Sequence, residues 1–273
     1  MNHRDYRLAA RSIFLLASWL SLATASLAAQ VPTSLVGDWT VRSVAVDARA
    51  GMSSSHEADD PHLLGEVLVI HPDGQIDYPL ATPCESMTWK ARPRTTLAAL
   101  VGANVKAGGG GGGPKTAPRL GDYGLKLGNP SVTPFVPLCT SKQAPGQTTA
   151  WDAADWFVSL TPDTTAMGNG IDTVLVLSRL TASTPIAPSF ACKGTLSPTE
   201  ATICKSQALA GRDRAVAQAY RRVTALAQKR KLNNLAAMEA EQRQWLKTRD
   251  ACQTDDQCII DRMRERITAL MSP

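Results

Sequence analysis

Short runs in which apolar and polar residues alternate occupy the chain from about residue 35 to residue 180. In "GDWTVRSVAVD", at 37–47, the alternation predicts a strand with one face formed by Trp39, Val41, Ser43 and Ala45. The segments "GEVLVIHPDGQIDYPL" and "DWFVSLTPDTTAMGNGIDTVLVLSRL" each predict a strand, a turn and a strand, because Pro and Gly clusters interrupt β-branched runs. Short strands separated by turn signals are typical of a small antiparallel barrel or sandwich.

A long segment between these strand pairs lacks the alternation. Residues 91–150 are rich in Pro and Gly and include the run "AGGGGGGPKT" at 107–116, which predicts a loop. The run loosely matches a phosphate-binding loop, but that motif needs Gly-Lys-Ser/Thr directly after a strand and at the start of a helix. Pro114 intervenes here, so we expect no nucleotide site.

In the last third of the chain the apolar residues adopt a helical period. "SPTE" at 197–200 has the form of a capping box with a proline at the first helical position, which predicts a helix start. Ser206 is predicted to cap a longer helix, and Asn233-Asn234 to separate it from a third. A fourth helix is predicted over about 256–271. This region is predicted to be a helical hairpin or bundle, of a size at which disulfides add useful stability to a small hydrophobic core.

Together the two patterns predict an α+β protein with a β-domain over 30–183, a linker over 184–191 and a helical domain over 192–273. Residues 1–29 contain three arginines, a short apolar run and a small-residue end, which is typical of a secretory signal peptide. The run is too short for a membrane span, which needs about twenty apolar residues. No cysteine follows it that could accept a lipid. We expect a periplasmic or secreted protein, soluble after cleavage, with no membrane span and no lipid.

Six cysteines lie beyond the predicted signal peptide, which fits an oxidising compartment. Cys84 and Cys139 are the only two in the β-domain, so we expect them to pair. Chain-entropy estimates put the stabilisation from closing this loop at about 4 kcal/mol. The C-terminal spacings differ from paired C-x2-C zinc motifs, and no C-x-x-C redox motif is present. We expect two further disulfides between neighbours in the sequence: Cys192 with Cys204, and Cys252 with Cys258.

Charge is distributed unevenly along the chain. Residues 30–188 hold 11 basic and 14 acidic residues, whereas residues 189–273 hold 15 and 9. The basic part favours anionic envelope polymers or an acidic protein surface, although a solvated helical face is the simpler explanation. No basic run interleaves with aromatic residues, so nucleic acid is not indicated as a partner.

The sequence holds little that indicates catalysis. It has no G-x-S-x-G motif, and His56, His62 and His71 lie in one loop-and-hairpin region. His56 and His62 beside Asp59 and Asp60 form a weak candidate metal site, for which a solvated loop is the simpler interpretation. We expect a protein that is not an enzyme and that has no metal and no cofactor.

One feature of the β-domain resembles the calycin and lipocalin-like barrels. A G-x-W begins the first strand at Trp39, and Arg179 lies in the last predicted strand, "TVLVLSRL". In those barrels such a tryptophan is packed by a cation from the last strand, and attraction between a guanidinium and an aromatic face supports the contact. The resemblance implies that this pair closes one end of the barrel and binds no ligand.

Three segments of the helical part resemble the lysozyme-inhibitor LprI family of exported bacterial proteins: "FACKGTLSPTEATIC", "ALAGRDRAVAQAYRRV" and "EQRQWLKTRDACQTDDQCIIDRMRERITAL". Besides four cysteines in order, the matching residues are Asp213, Tyr220, Gln242, Trp245, Arg249 and Asp250. The resemblance covers about 190–270 and implies a periplasmic helical module; a founding member of the family inhibits lysozyme. The chain departs from the pattern at Arg212, where an apolar residue is usual, and in having no lipid-accepting cysteine.

The spacing of the Q-x-x-W-L-x-x-R-D block places Gln242, Trp245 and Arg249 on one helix face. We expect Trp245 to pack into the helical core and Arg249 to reach Asp213 on the long helix. These motif residues are therefore interpreted as structural.

A lysozyme partner implies acidic contacts, because many lysozymes are strongly basic. The candidate contacts are Glu57, Asp59 and Asp60, in an acidic stretch that continues to Asp77, and the local patch Asp255 and Asp256. We expect an exported protein that binds another protein, with lysozyme inhibition by occlusion as the candidate activity. The alternative is an envelope module that binds a small apolar molecule or an anionic polymer without catalysis. The sequence does not indicate an oligomeric state.

Overall fold

A computed structural model describes residues 30–49, 56–107, 119–140, 148–151, 154–170, 172–232 and 234–272. The predicted signal peptide and the glycine run lie outside the described residues. The chain is α+β, with a curled antiparallel sheet followed by a helical region, as the two apolar periods predicted.

The described part contains eleven strands, five α-helices and a short 3-10 helix at Leu120–Tyr123; strands and α-helices are numbered here in chain order. The strands are β1 (Gly37–Val46), β2 (Val67–Ile70), β3 (Ile76–Asp77), β4 (Ser86–Ala91), β5 (Thr95–Thr96), β6 (Ser131–Val132), β7 (Phe135–Thr140), β8 (Thr148–Ala150), β9 (Trp156–Thr161), β10 (Thr164–Asn169) and β11 (Thr173–Leu180). The helices are α1 (Leu97–Ala107), α2 (Pro198–Ile203), α3 (Gln207–Lys229), α4 (Leu235–Asp250) and α5 (Asp256–Met271).

Nine strands form one sheet in the order β3-β2-β1-β11-β10-β9-β7-β4, with β8 paired to β7. Most neighbouring strands of the sheet are also close in chain order, and β1, the first strand, pairs with β11, the last. Within the described residues no backbone ladder joins β3 to β4, so the sheet is an open half-barrel. Side chains span this opening: Trp89 of β4 donates its Nε1–H to the carbonyl of Gly74 in the β2–β3 turn at 2.8 Å.

Trp39 and Arg179 meet as the resemblance to calycin barrels implied. The two residues are direct partners in the β1–β11 register, and the guanidinium carbon lies 4.1 Å from the indole centroid. The guanidinium also donates to the backbone carbonyls of Ser34, Val36 and Pro162 at 2.6–2.8 Å. The pair therefore ties the segment before β1 to the last strand of the sheet.

A bulge in β1 changes the predicted alternation. The register with β11 shifts between Val41 and Ser43 and leaves Arg42 without a strand partner. Beyond this point Ala45 lies in a different buried cluster from Trp39. The expectation that the two share a face is wrong, because one inserted residue reverses the alternation of every side chain that follows.

The segment 91–150 contains more regular structure than the predicted loop. Helix α1 follows Thr96, whose Oγ1 accepts a hydrogen bond from the amide of Ala99 at 3.2 Å. Its buried side chains have helical spacing: Leu97, Leu100 and Val101. In the sequence this pattern is hard to recognise because Pro and Gly residues surround it.

The helical region begins with the predicted caps. The Ser197 hydroxyl accepts from the amide of Glu200 at 3.2 Å, and the Glu200 carboxylate accepts from the amide of Ser197 at 2.8 Å, which confirms the capping box. Ser206 caps α3 by accepting from the amide of Leu209 at 3.3 Å. Helix α5 has the predicted bounds of 256–271.

The sheet and the helices share one hydrophobic core. Buried Ile203, Leu209 and Ile259 of the helical region belong to the same cluster as Trp39 and Leu68 of the sheet. The chain has three disulfides, and the two helical ones are those predicted: Cys84–Cys139, Cys192–Cys204 and Cys252–Cys258. Whether residues 30–183 and 192–273 fold as separate domains stays a prediction; in this structure they pack on each other.

Candidate functional site

Helix α3 approaches the sheet region through two glycines. A Cβ atom built on Gly211 would lie 2.2 Å from the carbonyl oxygen of Gly65, and one built on Gly65 would lie 2.4 Å from that of Gly211. Gly65 also has a φ of +74°, which favours glycine. The backbones therefore touch directly at the loop before β2, and this contact sets how close α3 lies to the sheet. Sequence reasoning missed both glycines, because each looks ordinary on its own.

The next residue of α3 forms a buried ion pair with the sheet region. Arg212 Nη2 donates to Glu66 Oε2 at 2.5 Å, and Nη1 contacts Oε1, with both side chains about 5% exposed or less. Burial raises the pKa of Glu66 to about 7, and attraction by Arg212 and Arg264 limits the rise. Arg212 is the residue that departs from the family pattern. Its partner is a carboxylate of this chain's own sheet region.

The third consecutive residue of α3 holds the helical region together. Asp213 is buried, and its Oδ1 accepts from Arg249 Nη1 at 3.3 Å, as the sequence predicted. Its Oδ2 accepts from the amide of Ser189 at 2.6 Å, which fixes the segment that enters the helices. Arg249 also donates to Asp250 at 2.8–2.9 Å. Gly211 and Arg212 thus contact the loop before β2, and Asp213 joins α3 to the segment before the helices and to α4.

Two of the other family-motif residues, Trp245 and Gln242, join α4 to α5. Trp245 is partly buried against the core, its Nε1–H donates to the carbonyl of Arg262 at 3.2 Å, and the guanidinium carbon of Arg249 lies 5.6 Å from its ring. Gln242 Oε1 accepts from Arg266 Nε at 3.0 Å. Tyr220 is partly buried on α3, and its carbonyl accepts from Thr224. These contacts support the structural interpretation of the motif.

The acidic stretch proposed for a partner is largely engaged by the protein itself. The carboxylate of Glu57 pairs with Arg222 of α3, and the same arginine donates to the Ala58 carbonyl at 2.8 Å. Asp59 Oδ1 accepts from the amide of Val44 at 3.1 Å. Part of the charge complementarity between the two regions is therefore used inside the molecule, because Glu57 and Glu66 pair with Arg222 and Arg212 of α3.

Asp60 is 5% exposed and so does not offer its carboxylate to a partner. Its two oxygens each lie 2.9 Å from an Nδ1, one of His56 and one of His62. Burial alone would raise the pKa of Asp60, but its hydrogen bonds to His56 and His62 lower it to about 2. Within the described residues no group of three His, Cys, Asp or Glu side chains is arranged to hold a metal ion. This cluster is a hydrogen-bonded connection within the loop, in which Asp60 is buried and His62 is exposed.

The turn between α4 and α5 presents the second predicted acidic patch. Asp255 Oδ1 accepts from the amide of Cys258 at 3.0 Å and so caps α5, whereas Asp256 is exposed in the first turn. Thr199 Oγ1 of α2 donates to backbone carbonyls of this turn at 2.9–3.1 Å. Together with the Cys252–Cys258 bond, these contacts give a stapled, acidic surface.

A cleft of about 420 Å³ lies between β1, the loop of residues 59–65 and α3. Three arginines line it: Arg42, Arg214 and Arg221. Sequence reasoning did not identify them as a group, because they come from a strand bulge and from a helix far along the chain.

Comparisons with known proteins bear on the helical region alone. Residues 192–270 match the family model described as Lysozyme inhibitor LprI, which confirms the resemblance seen in the sequence. The match spans less than a third of the 273 residues. No curated protein and no solved structure matches the chain. Among the described helices, none is long and apolar enough to cross a membrane.

Proposed function

We propose that this protein is exported to the periplasm or beyond the cell, where it binds another protein and inhibits it. The candidate partner is a lysozyme. The observation that carries the proposal is the match of residues 192–270 to the LprI lysozyme-inhibitor family. The three disulfides support an oxidising compartment. Inhibition by occlusion of a sugar-binding cleft needs a rigid surface of the right charge and no catalytic group.

The stapled turn around Asp255 and Asp256 is the surface that fits a basic lysozyme best. Glu57 is exposed but paired with Arg222, and Asp60 is buried, so both are poorer candidates. Asp256 has its carboxylate in solvent, beside a backbone held by the Cys252–Cys258 bond. A surface that is ordered before binding loses less conformational entropy when a partner docks.

The test is a cell-wall lysis assay with the chain beginning at Gln30 and a panel of lysozymes of different structural classes. We expect the protein to abolish the activity of at least one of them at a near-stoichiometric ratio. If every lysozyme keeps full activity at high molar excess, lysozyme inhibition is excluded.

The contact surface is tested with a charge reversal and a matched control. Asp256→Lys should weaken inhibition about tenfold or more, because it replaces an attractive charge with a repulsive one. Asp163→Lys reverses an exposed acid in the β9–β10 turn and should leave inhibition unchanged. Equal effects of the two variants would show that net charge, and not this turn, governs binding.

The alternative of a small apolar ligand inside the sheet has less support. The larger cluster fills the core between sheet and helices with side chains such as those of Trp39, Phe157, Met167 and Leu175, each fully buried. Within the described residues these side chains occupy the interior between sheet and helices, which counts against an apolar ligand there.

A further inference from the structure

We propose that the cleft between β1, the loop of residues 59–65 and α3 binds a short acidic saccharide, that is, a hydroxyl-rich ligand that carries carboxylates. This site is separate from the stapled turn assigned to a protein partner. It lies where the sheet region and the family-matched helices meet.

The cleft has the volume of a small-ligand site, and two glycines form part of its lining. Its volume of about 420 Å³ falls in the range of about 300–1,000 Å³ that is typical of small-molecule pockets. Gly65 and Gly211 both line it. Because neither has a side chain and their backbones touch, the two regions meet at this point without filling the space above.

The charge of the lining favours an anion. Arg42 and Arg221 are exposed, and neither side chain has a hydrogen-bond or ion-pair partner among the described residues. Arg214 donates to the carbonyl of Ala187 through Nη1 alone. Among the described residues that line the cleft, Asp59 is the only one with a carboxylate, and that group already accepts from the amide of Val44. Guanidinium groups match the geometry of carboxylates, so the unpaired forks are suited to them.

Two unusual backbone features are both found at this cleft. Arg42 is the unpaired residue of the β1 bulge, and bulges commonly redirect a side chain toward a site. Asp59 has a φ of +51°, a conformation that is uncommon for residues other than glycine and that clusters at ligand sites. Both residues line the cleft.

The remaining lining favours a saccharide over other anions. Thr40 and Ser178, which are partners in the β1–β11 register, line the cleft with Ser189 and Gln218, so the lining is rich in residues that can hydrogen-bond to hydroxyl groups. Gln218 uses its Nε2 on the Asp59 carbonyl at 3.4 Å, which leaves its amide oxygen to accept from a ligand hydroxyl. No aromatic residue lines the cleft in the described part of the chain, so it offers no stacking platform for a nucleotide base.

The experiment is isothermal titration calorimetry of the chain beginning at Gln30 with trigalacturonate as the probe. We expect saturable binding that weakens as salt is added. A neutral trisaccharide of the same length should bind far more weakly, because it cannot pair with the arginines. Lysozyme is absent, so this result is independent of the proposed inhibition.

Two variants and a matched control locate the site. Arg42→Gln and Arg221→Gln should each weaken binding of trigalacturonate about tenfold or more. Arg243→Gln removes an exposed arginine of α4 outside the cleft and should leave it unchanged. Circular dichroism melting checks that all three variants are folded.

Three results would overturn the proposal. The first is the absence of saturable binding. The second is equal weakening by Arg243→Gln, which would indicate diffuse attraction to the basic surface. The third is inorganic phosphate binding as tightly as trigalacturonate, which would indicate a plain anion site without saccharide recognition.

Discussion

The sheet region and the helical region hold their structures by different means. The sheet relies on long-range backbone pairing and on one disulfide that spans 55 residues, whereas the helices rely on local caps and on two disulfides spanning 12 and 6 residues. Their charges also differ in sign. The structure shows that this difference joins the two regions, because Glu66 and Glu57 pair with Arg212 and Arg222. An uneven charge distribution in a sequence therefore need not point to an external partner.

The largest effect is expected from removing the buried charge that connects the two regions. Arg212→Met leaves Glu66 buried without its partner and should lower the free energy of unfolding by about 3–5 kcal/mol at alkaline pH, where Glu66 is ionised. The measurement is urea unfolding followed by helix circular dichroism and by tryptophan fluorescence, which reports mainly on the sheet. The two probes should coincide in the unmodified protein and separate in the variant.

The penalty for Arg212→Met should grow with pH. The folded-state pKa of Glu66, about 7, is already above its ordinary value of 4.5, and loss of Arg212 raises it further. A group with a raised folded pKa contributes stability below its unfolded pKa and loses it as pH rises through the folded one. The double variant Arg212→Met, Glu66→Leu should recover most of the loss, since it buries no charge. A pH-independent penalty would contradict this account.

The next largest effect is expected at the glycine contact. Gly211→Ala places a Cβ against the backbone of Gly65 and should cost about 2–3 kcal/mol, because backbone atoms on both sides must move apart. Gly128→Ala is the matched control, since no atom lies within 4 Å of its Cβ position. Thermal unfolding of both variants gives the comparison. Similar stabilities would show that α3 does not depend on this close approach.

A smaller effect, confined to the loop of the sheet region, is expected at Asp60. Its folded pKa of about 2 is below the ordinary value of 3.8, so it contributes stability above that value and loses it as pH falls toward 2. Asp60→Asn should therefore cost about 2 kcal/mol near neutral pH, and the cost should vanish near pH 2. Urea unfolding across this range measures it, with Asp163→Asn as an exposed control. A cost that stays constant with pH would exclude the ionised hydrogen bonds as its cause.

The smallest effect is expected at the end of the half-barrel. Arg179→Gln removes the guanidinium from the face of Trp39 and should cost about 1–2 kcal/mol. The near-ultraviolet circular dichroism of the buried tryptophan should change, while the helical signal should not. Coupled loss of the helical signal would mean that this pair supports both regions.

Much of the local structure was predictable because its causes lie close together in the sequence. The capping box at Ser197 and Glu200 and the pairing of Cys252 with Cys258 depend on residues three and six positions apart. The Asp213–Arg249 contact followed from helix periodicity combined with the family pattern. The bounds of α5 were predicted in the same way.

The wrong predictions share one cause: reasoning from the sequence pattern treats each helix or strand as if it were isolated from the rest of the fold. The bulge at Arg42 reversed the faces of β1, and no residue type in "GDWTVRSVAVD" announces it. Likewise, α1 was missed because its apolar stripe is surrounded by residues typical of loops. For the candidate cleft, Arg42 and Arg221 are brought together only when the helices dock on the sheet.

The sequence by itself determined the two apolar periods, the caps, the neighbouring disulfides and the family of the helical region, because each is encoded by residues within a few turns or strands. The tertiary structure alone decided which charges are used internally, where α3 touches the sheet and which arginines line a cleft. Arg212 and Glu66 are 146 residues apart, and a contact over that distance leaves no periodic trace in the chain. It exists because packing brings two oppositely charged regions together and excludes water from the place where they meet.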